Sequence, residues 1–444
     1  MNRNNISRKD FLRNSALASI SALAATQGVR GSTLPEQKTT NMQLKDDYIL
    51  KNVRLETGFE YDNDEIIGTR SELFTLHIKD GKINFVKEVG DIANVIDMKG
   101  LLMLPAFSDM HIHLDKTFYG GKWQAVRRRS GGVKGMIALE QEILPDMLHT
   151  STDRAIKLIE LLQGYGSSFA RSHVNIEPTS KLDSLKNLEK ALSIKKDGFS
   201  AELVAFPQHG IFYTESAPWL KEAAKMDIDF IGGVDPYSLD GSIERSIDFM
   251  VQLALDHNKG IDLHLHESGD SGLQTVQYLT KKVNENPVLK GKTAISHCFV
   301  LGRLEGSALQ KTAEDLAAAE IGIMSTVPFG NLIMPIPTLQ KYGVKVCAGN
   351  DSIIDHWNTF GSGSVLQKAN VMAELYGYGN EYKLSRCLGI ATRGITPLSD
   401  NGEMVWPKEN DNANLTFVDA SCSAEAVARI SPVKSLIHNG NLVF

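Results

Sequence analysis

Between residues 105 and 397 of this 444-residue chain, short apolar runs alternate with longer amphipathic segments, and no other feature constrains the fold as tightly. Eight runs can be counted, ending near Met110, His173, Phe206, Val234, His266, His297, Ser325 and Asn350. The connectors are long enough to cross over a sheet, which predicts parallel strands covered by helices. In Ile243 to His257, for example, Ile243, Ile247, Met250, Leu253 and Ala254 recur at helical spacing with charged residues between them. Eight strand–helix units predict an α/β chain built on a (β/α)8 TIM-type barrel. Active sites in that architecture sit where the strands end, so the residues at the ends of the eight runs are the first candidates for chemistry.

The flanks follow a different pattern. From 46 to 104 the chain alternates apolar and polar residues in short runs, with Asp80-Gly81 as a hairpin turn, and short strand-like runs return in 398–444 at Asn414–Val418 and Ser435–Val443. The two ends are expected to pair into one small β-sandwich domain beside the barrel. Residues 1–31 differ again: Ser7-Arg8-Lys9-Asp10-Phe11-Leu12-Arg13 precedes the weakly apolar Ser15 to Ala25. This layout is that of an export signal, similar to a twin-arginine signal with lysine in the second position, and it predicts a periplasmic or otherwise exported protein; the alternative is a disordered or amphipathic N-terminal tail on a cytoplasmic enzyme.

Composition narrows the partners. Lys plus Arg number 47 against 53 Asp plus Glu, so no basic excess points to nucleic acid, and a small molecule is the expected ligand. Past the N-terminus no apolar run approaches the roughly 20 residues that span a bilayer. The four cysteines, Cys298, Cys347, Cys387 and Cys422, form no C-x-x-C pair and are expected to be buried thiols.

The first run ends in His111-Ile112-His113-Leu114-Asp115-Lys116. Residues i and i+2 of a strand point to one side, so both imidazoles can face one ion. The fifth run, Ile261-Asp262-Leu263-His264-Leu265-His266-Glu267, offers a further ligand. The sixth ends in Ser296-His297, and the eighth reads Val346-Cys347-Ala348-Gly349-Asn350-Asp351. An apolar strand that is entered from a β domain and leaves in H-x-H-x-D, followed by His or Asp at the ends of runs 5, 6 and 8, resembles the amidohydrolase superfamily. Val204-Ala205-Phe206-Pro207-Gln208-His209-Gly210, Arg171-Ser172-His173-Val174 and Asp351-Ser352-Ile353-Ile354-Asp355-His356-Trp357 extend the likeness to its branch similar to cytosine deaminase, from about Leu102 to Pro397.

That resemblance implies a mononuclear metal-dependent deaminase. One divalent ion, Zn²⁺ or Fe²⁺, would be held by His111, His113, His264 and Asp351. His264 and His266 share a face, and the branch's histidine followed three residues later by glutamate selects His264 and Glu267; His266 is then either substrate-facing or packed. Asp351, His297 and Glu267 would move and hold the reaction's protons and charge, and Gln208 would read the ring's amide-like edge, unless it only caps local backbone. The fourth run, Phe230 to Val234, lacks the lysine by which binuclear relatives bridge two metals, which implies a single ion. Asp235, which follows that run, either accepts a ring N–H or amine or forms a turn before Pro236. Ser352 stands where cytosine deaminase has a second substrate-facing aspartate, and Asn175 and His209 replace acids of the bacterial enzymes, so the ring need not be cytosine. The expected reaction is hydrolytic release of ammonia from a small nitrogen heterocycle. The alternatives are hydrolysis of a cyclic amide or an N-alkyl amine at the same site, or a catalytically silent ligand-binding protein. The family likeness is also the only ground for expecting a homo-oligomer.

Overall fold

The structure, a computed structural model, describes residues 47–87 and 94–444. The segment read as an export signal lies outside the described residues. Eight parallel strands pair in chain order: β6 (Phe107–Ile112), β7 (Ser167–Asn175), β8 (Ser200–Phe206), β9 (Phe230–Val234), β10 (Gly260–His264), β11 (Thr293–Ser296), β12 (Ile321–Ser325) and β13 (Val346–Ala348). Every strand ends within two residues of the position read from the sequence. The barrel closes just beyond β13, where Ile112 bridges Asp351 in parallel and the Asp351 N–H donates to the His111 carbonyl at 2.7 Å.

Glycine makes this closure possible. A Cβ on Gly349 would lie 2.5 Å from the backbone N and O of His111. Only a residue without a side chain lets the eighth strand come that close to the first, and this contact sets Asp351 against the His-x-His pair.

The helical connectors form as the periodicity requires. The helix Ile243–His257 has the expected bounds; the Ser242 side chain accepts from the Arg245 N–H at its start, and Asn258 ends it in the left-handed conformation. Its apolar face, with Ile247, Met250 and Ala254, joins a continuous core that also takes Ile261, Leu263 and Leu265 from β10 and the residue after it. The alternating residues Asp262, His264 and His266 are thereby turned to the opposite side of the strand, toward the barrel interior and its mouth.

The flanking segments meet as expected, in one eight-stranded sheet. β14 (Leu415–Val418), from the C-terminal end, pairs antiparallel with β5 (Leu102–Pro105), which leads into the barrel. Asp80 and Gly81 both adopt positive φ, 51° and 70°, in the two-residue turn between β2 (Glu65–Lys79) and β3 (Lys82–Phe85). All four cysteines are free and buried. Among the described residues no helix is long and apolar enough to cross a membrane.

Candidate metal centre and the site around it

The C-terminal ends of the strands bring five imidazoles together. The His111 ring centroid lies 4.3 Å from that of His173, 4.6 Å from His264 and 4.7 Å from His297, with His113 at 5.6 Å. Asp351 reaches into the group: its Oδ1 is 3.4 Å from His111 Nε2 and 3.2 Å from His113 Nε2, and its Oδ2 is 3.9 Å from His297 Nε2. Two overlapping sets of side chains are close enough to share one cation, His111–His113–Asp351 and His111–His173–His264. The four residues expected to hold a metal all lie within these sets.

The chemistry of the donors fits a metal. Nε2 of His111 and both ring nitrogens of His173, His264 and His297 are buried without a hydrogen-bond partner. Buried polar atoms are seldom left so, and a cluster of them facing one another asks for an ion, water or ligand. Burial, reinforced by the neighbouring imidazoles, pushes His173, His264 and His297 well below the ordinary histidine range, and burial also lowers His113. All four are therefore neutral at pH 7, the state in which imidazole can ligate. Burial alone would raise Asp351, but the close approach of His111, His113 and His297 holds it well below the usual carboxylate range, so it remains anionic.

Outer partners orient the candidate ligands. His111 Nδ1 lies 2.8 Å from Ser296 Oγ, and that hydroxyl donates to Asp262 Oδ1 at 2.7 Å. Because the hydroxyl proton is spent on Asp262, Ser296 accepts from Nδ1–H, and the His111 lone pair is left on Nε2, facing Asp351. Asp262 is itself held by Arg171 Nη1 at 2.9 Å. In the same way the His173 carbonyl fixes His113 through Nδ1, at 3.0 Å, leaving Nε2 toward Asp351. The His264 ring stacks on Phe206 at 3.9 Å.

The remaining predicted residues take distinct places. Glu267 Oε1 accepts from the N–H groups of Tyr237 (3.1 Å) and Ser238 (2.8 Å), while its Oε2 is buried without a partner. Asp235 is spent on the neighbouring loop: Oδ1 accepts from the His266 N–H at 2.7 Å and the Glu267 N–H at 3.3 Å, and Oδ2 meets His266 Nδ1 at 2.9 Å. It thus orders His266, whose half-exposed ring lies 4.4 Å from that of His297. Gln208 is buried and accepts a hydrogen bond from Lys116 Nζ through Oε1. Ser352 is buried beside Asp351, its carbonyl accepting from Asn358 Nδ2 at 3.2 Å. Asp235, His297 and Asp351 all adopt positive φ, 38°, 66° and 63°, a conformation costly for non-glycine residues and concentrated at functional sites.

Sequence reasoning gave no role to His173 or Lys116. His173 ends the second run, as the expected ligands end theirs, and that position was the available signal. Lys116 carries no such mark, because its partners Gln208 and Glu140 are distant in sequence.

The amidohydrolase family model matches residues 173–444. An uncharacterized protein of Escherichia coli (strain K12), YahJ, is 46% identical over 450 residues, covering 99% of this chain and 98% of its own. N-isopropylammelide isopropyl amidohydrolase of Pseudomonas sp. (strain ADP) is 27% identical over 367 residues, 80% of this chain and 89% of that protein. The crystal structure of N-isopropylammelide isopropylaminohydrolase from Burkholderia multivorans superposes with a TM-score of 0.77 at 23% identity, covering 89% of this chain and 98% of that one. With a barrel of eight parallel strands, histidines and an aspartate gathered at its strand ends, and a family match over more than half its length, the chain is a member of the amidohydrolase family.

Proposed function

We propose that the protein is a hydrolase that removes an exocyclic amino group from a small nitrogen heterocycle and releases ammonia, using one divalent ion held by His111, His113, His264 and Asp351. The observation that carries this reading is the set of buried, unpartnered imidazole nitrogens of His111, His173, His264 and His297 gathered beside one anionic carboxylate. A bound Zn²⁺ or Fe²⁺ would supply Lewis acidity and lower the pKa of attacking water toward about 7.

The chain's own residues account for the rest. Asp351 Oδ2, turned toward His297, is placed to take a proton from the attacking water. His297 is neutral and can hold the developing oxyanion by hydrogen bonding. Glu267 is anchored through Oε1 by two backbone N–H groups, which leaves Oε2 to carry a proton to the ring nitrogen and then to the departing amine. Gln208 binds the ring's polar edge. Phe206, stacked on His264, supplies an apolar face.

A second reading is favoured by the 27% identity to a protein named for hydrolysis of N-isopropylammelide: the leaving group is an alkylamine rather than ammonia. The same residues serve both reactions. Metal-replete protein incubated with amino-pyrimidines, pterins, triazines and N-alkylamino-triazines, assayed for ammonia and for alkylamine, decides between them. Ammonia release supports the deaminase, and alkylamine alone supports the second reading. Neither product, at one metal per chain, refutes both.

A further inference from the structure

Beside the imidazoles, and outside the set that would hold a metal, lies a second buried cluster: Lys116, Glu140, Glu177 and His209, each wholly excluded from solvent. Isolated charges there would be prohibitively costly, but two cations here face two anions. The His209 ring stands between carboxylates, with Nε2 3.3 Å from Glu140 Oε2 and Nδ1 3.5 Å from Glu177 Oε2. Only Nε2 is within a formed hydrogen bond, but a carboxylate within 3.5 Å of each ring nitrogen favours the charged ring over the neutral one. Burial opposes that charge, but the two carboxylates outweigh it and push His209 up to about 9. Burial likewise works against the Glu140 carboxylate, and Lys116 and His209 overcome it, holding Glu140 well below its usual range.

Glu140 joins the cluster to the site. Its Oε1 accepts from Asn175 Nδ2 at 2.7 Å and lies 3.8 Å from Lys116 Nζ, and its Oε2 accepts from Trp357 Nε1 at 2.9 Å. The other titratable groups nearby are His356, which burial lowers, and Asp115, which burial pushes up to about 6 and which accepts from the Asn175 N–H. Lys116 donates to Oε1 of Gln208, the residue next to His209. An ammonium can only donate, so the Gln208 atom facing it is the oxygen, and the Nε2 donors remain for a ligand.

We propose that His209, held between the carboxylates of Glu140 and Glu177, is a positioning residue that fixes Lys116 through Glu140 and Gln208 through Lys116, so that this edge of the site offers only hydrogen-bond donors to the bound ring. The ring then carries a carbonyl or ionised lactam oxygen at this edge, where an amino group would find no acceptor. The inference rests on the heterocycle reading above and adds the oxygen substituent to it.

Calorimetric titration of the Zn²⁺-loaded full chain with cyanuric acid, whose three exocyclic substituents are oxygens, and with melamine, whose three are amino groups, tests the inference without turnover. The expected result is that wild type binds cyanuric acid at least about tenfold more tightly than melamine. His209→Gln loses about tenfold of that affinity at pH 7, and the difference between the two proteins vanishes above about pH 9, where His209 gives up its proton. Glu177→Gln, which removes one of the carboxylates holding that proton, shifts the wild-type fall in affinity to lower pH. If His209→Gln does not fold, the Glu177→Gln shift decides the matter. Melamine binding as well as cyanuric acid, wild-type affinity in His209→Gln, or an unmoved pH midpoint in Glu177→Gln overturns the proposal. Because binding is read directly, each of these results is distinct from a failure to release ammonia or alkylamine.

Discussion

Ser296→Ala tests whether the histidines are ligands oriented from behind or merely a packed cluster. The hydroxyl is fully buried between two groups, accepting from His111 Nδ1 at 2.8 Å and donating to Asp262 Oδ1 at 2.7 Å. Its removal leaves one buried donor and one buried acceptor unpaired, each costing about 1–3 kcal/mol. Asp262 keeps Arg171 on its other oxygen, so the lower half of that range applies to it, and the expected loss of stability is about 2–5 kcal/mol. Without its partner the His111 ring is also free to change tautomer or rotate, and losses of this kind weaken metal binding about 10- to 100-fold, or about 1.4–2.8 kcal/mol. Competition for Zn²⁺ against a chelator, followed by calorimetry, reads the second quantity, and thermal unfolding of the metal-free protein reads the first. Wild-type metal affinity in Ser296→Ala would refute the orienting role, whatever happened to stability.

Three further outcomes are expected. Gly349→Ala would place a Cβ 2.5 Å from the His111 backbone, so it should cost about 1–3 kcal/mol or more and leave less than one metal per chain after dialysis; Gly389→Ala, where a Cβ meets nothing closer than 3.8 Å, should change neither. His209 is raised from 6.5 to about 9 in the folded protein, so its contribution is fully present below pH 6.5 and is lost as pH rises through 9. That contribution is on the order of 3 kcal/mol, and denaturant unfolding from pH 6 to 10 should show the decline in wild type and a flatter curve in His209→Gln. Glu267→Gln cannot carry a proton, and it should lower kcat by at least about 100-fold while metal content, measured by mass spectrometry, stays at the wild-type level.

The ends of the barrel strands were legible because period and chemistry coincide there. Apolar alternation marks each strand, and the polar residue that breaks it, His113, His264, His297 or Asp351, is the one the fold brings into the cluster at the barrel mouth. The segment from Ile243 to His257 was legible as a helix because its apolar residues recur at helical spacing, and the structure adds the Ser242 cap and the left-handed Asn258 that bound it. The position of Glu267 depends instead on where the loop after β9 turns, since Tyr237 and Ser238 present their N–H groups to it across 30 and 29 residues. Asp235 shows the same limit. Both its roles were open in the sequence, and only the fold shows its two oxygens committed to the loop carrying His266 and Glu267. The charge cluster of Lys116, Glu140, Glu177 and His209 was illegible because it draws on the loop after β6, the helix Gly132–Leu148 and the loops after β7 and β8, and no spacing rule links these segments.

The most direct test of the account is a crystal structure of the metal-replete protein with anomalous data collected at the metal edge. One peak per chain is expected, about 2.0–2.2 Å from Nε2 of His111 and His113, a ring nitrogen of His264 and an oxygen of Asp351, with His173 outside bonding distance. A peak bonded to His173 in place of His113 and Asp351, or no peak in protein that hydrolyses its substrate, would contradict it.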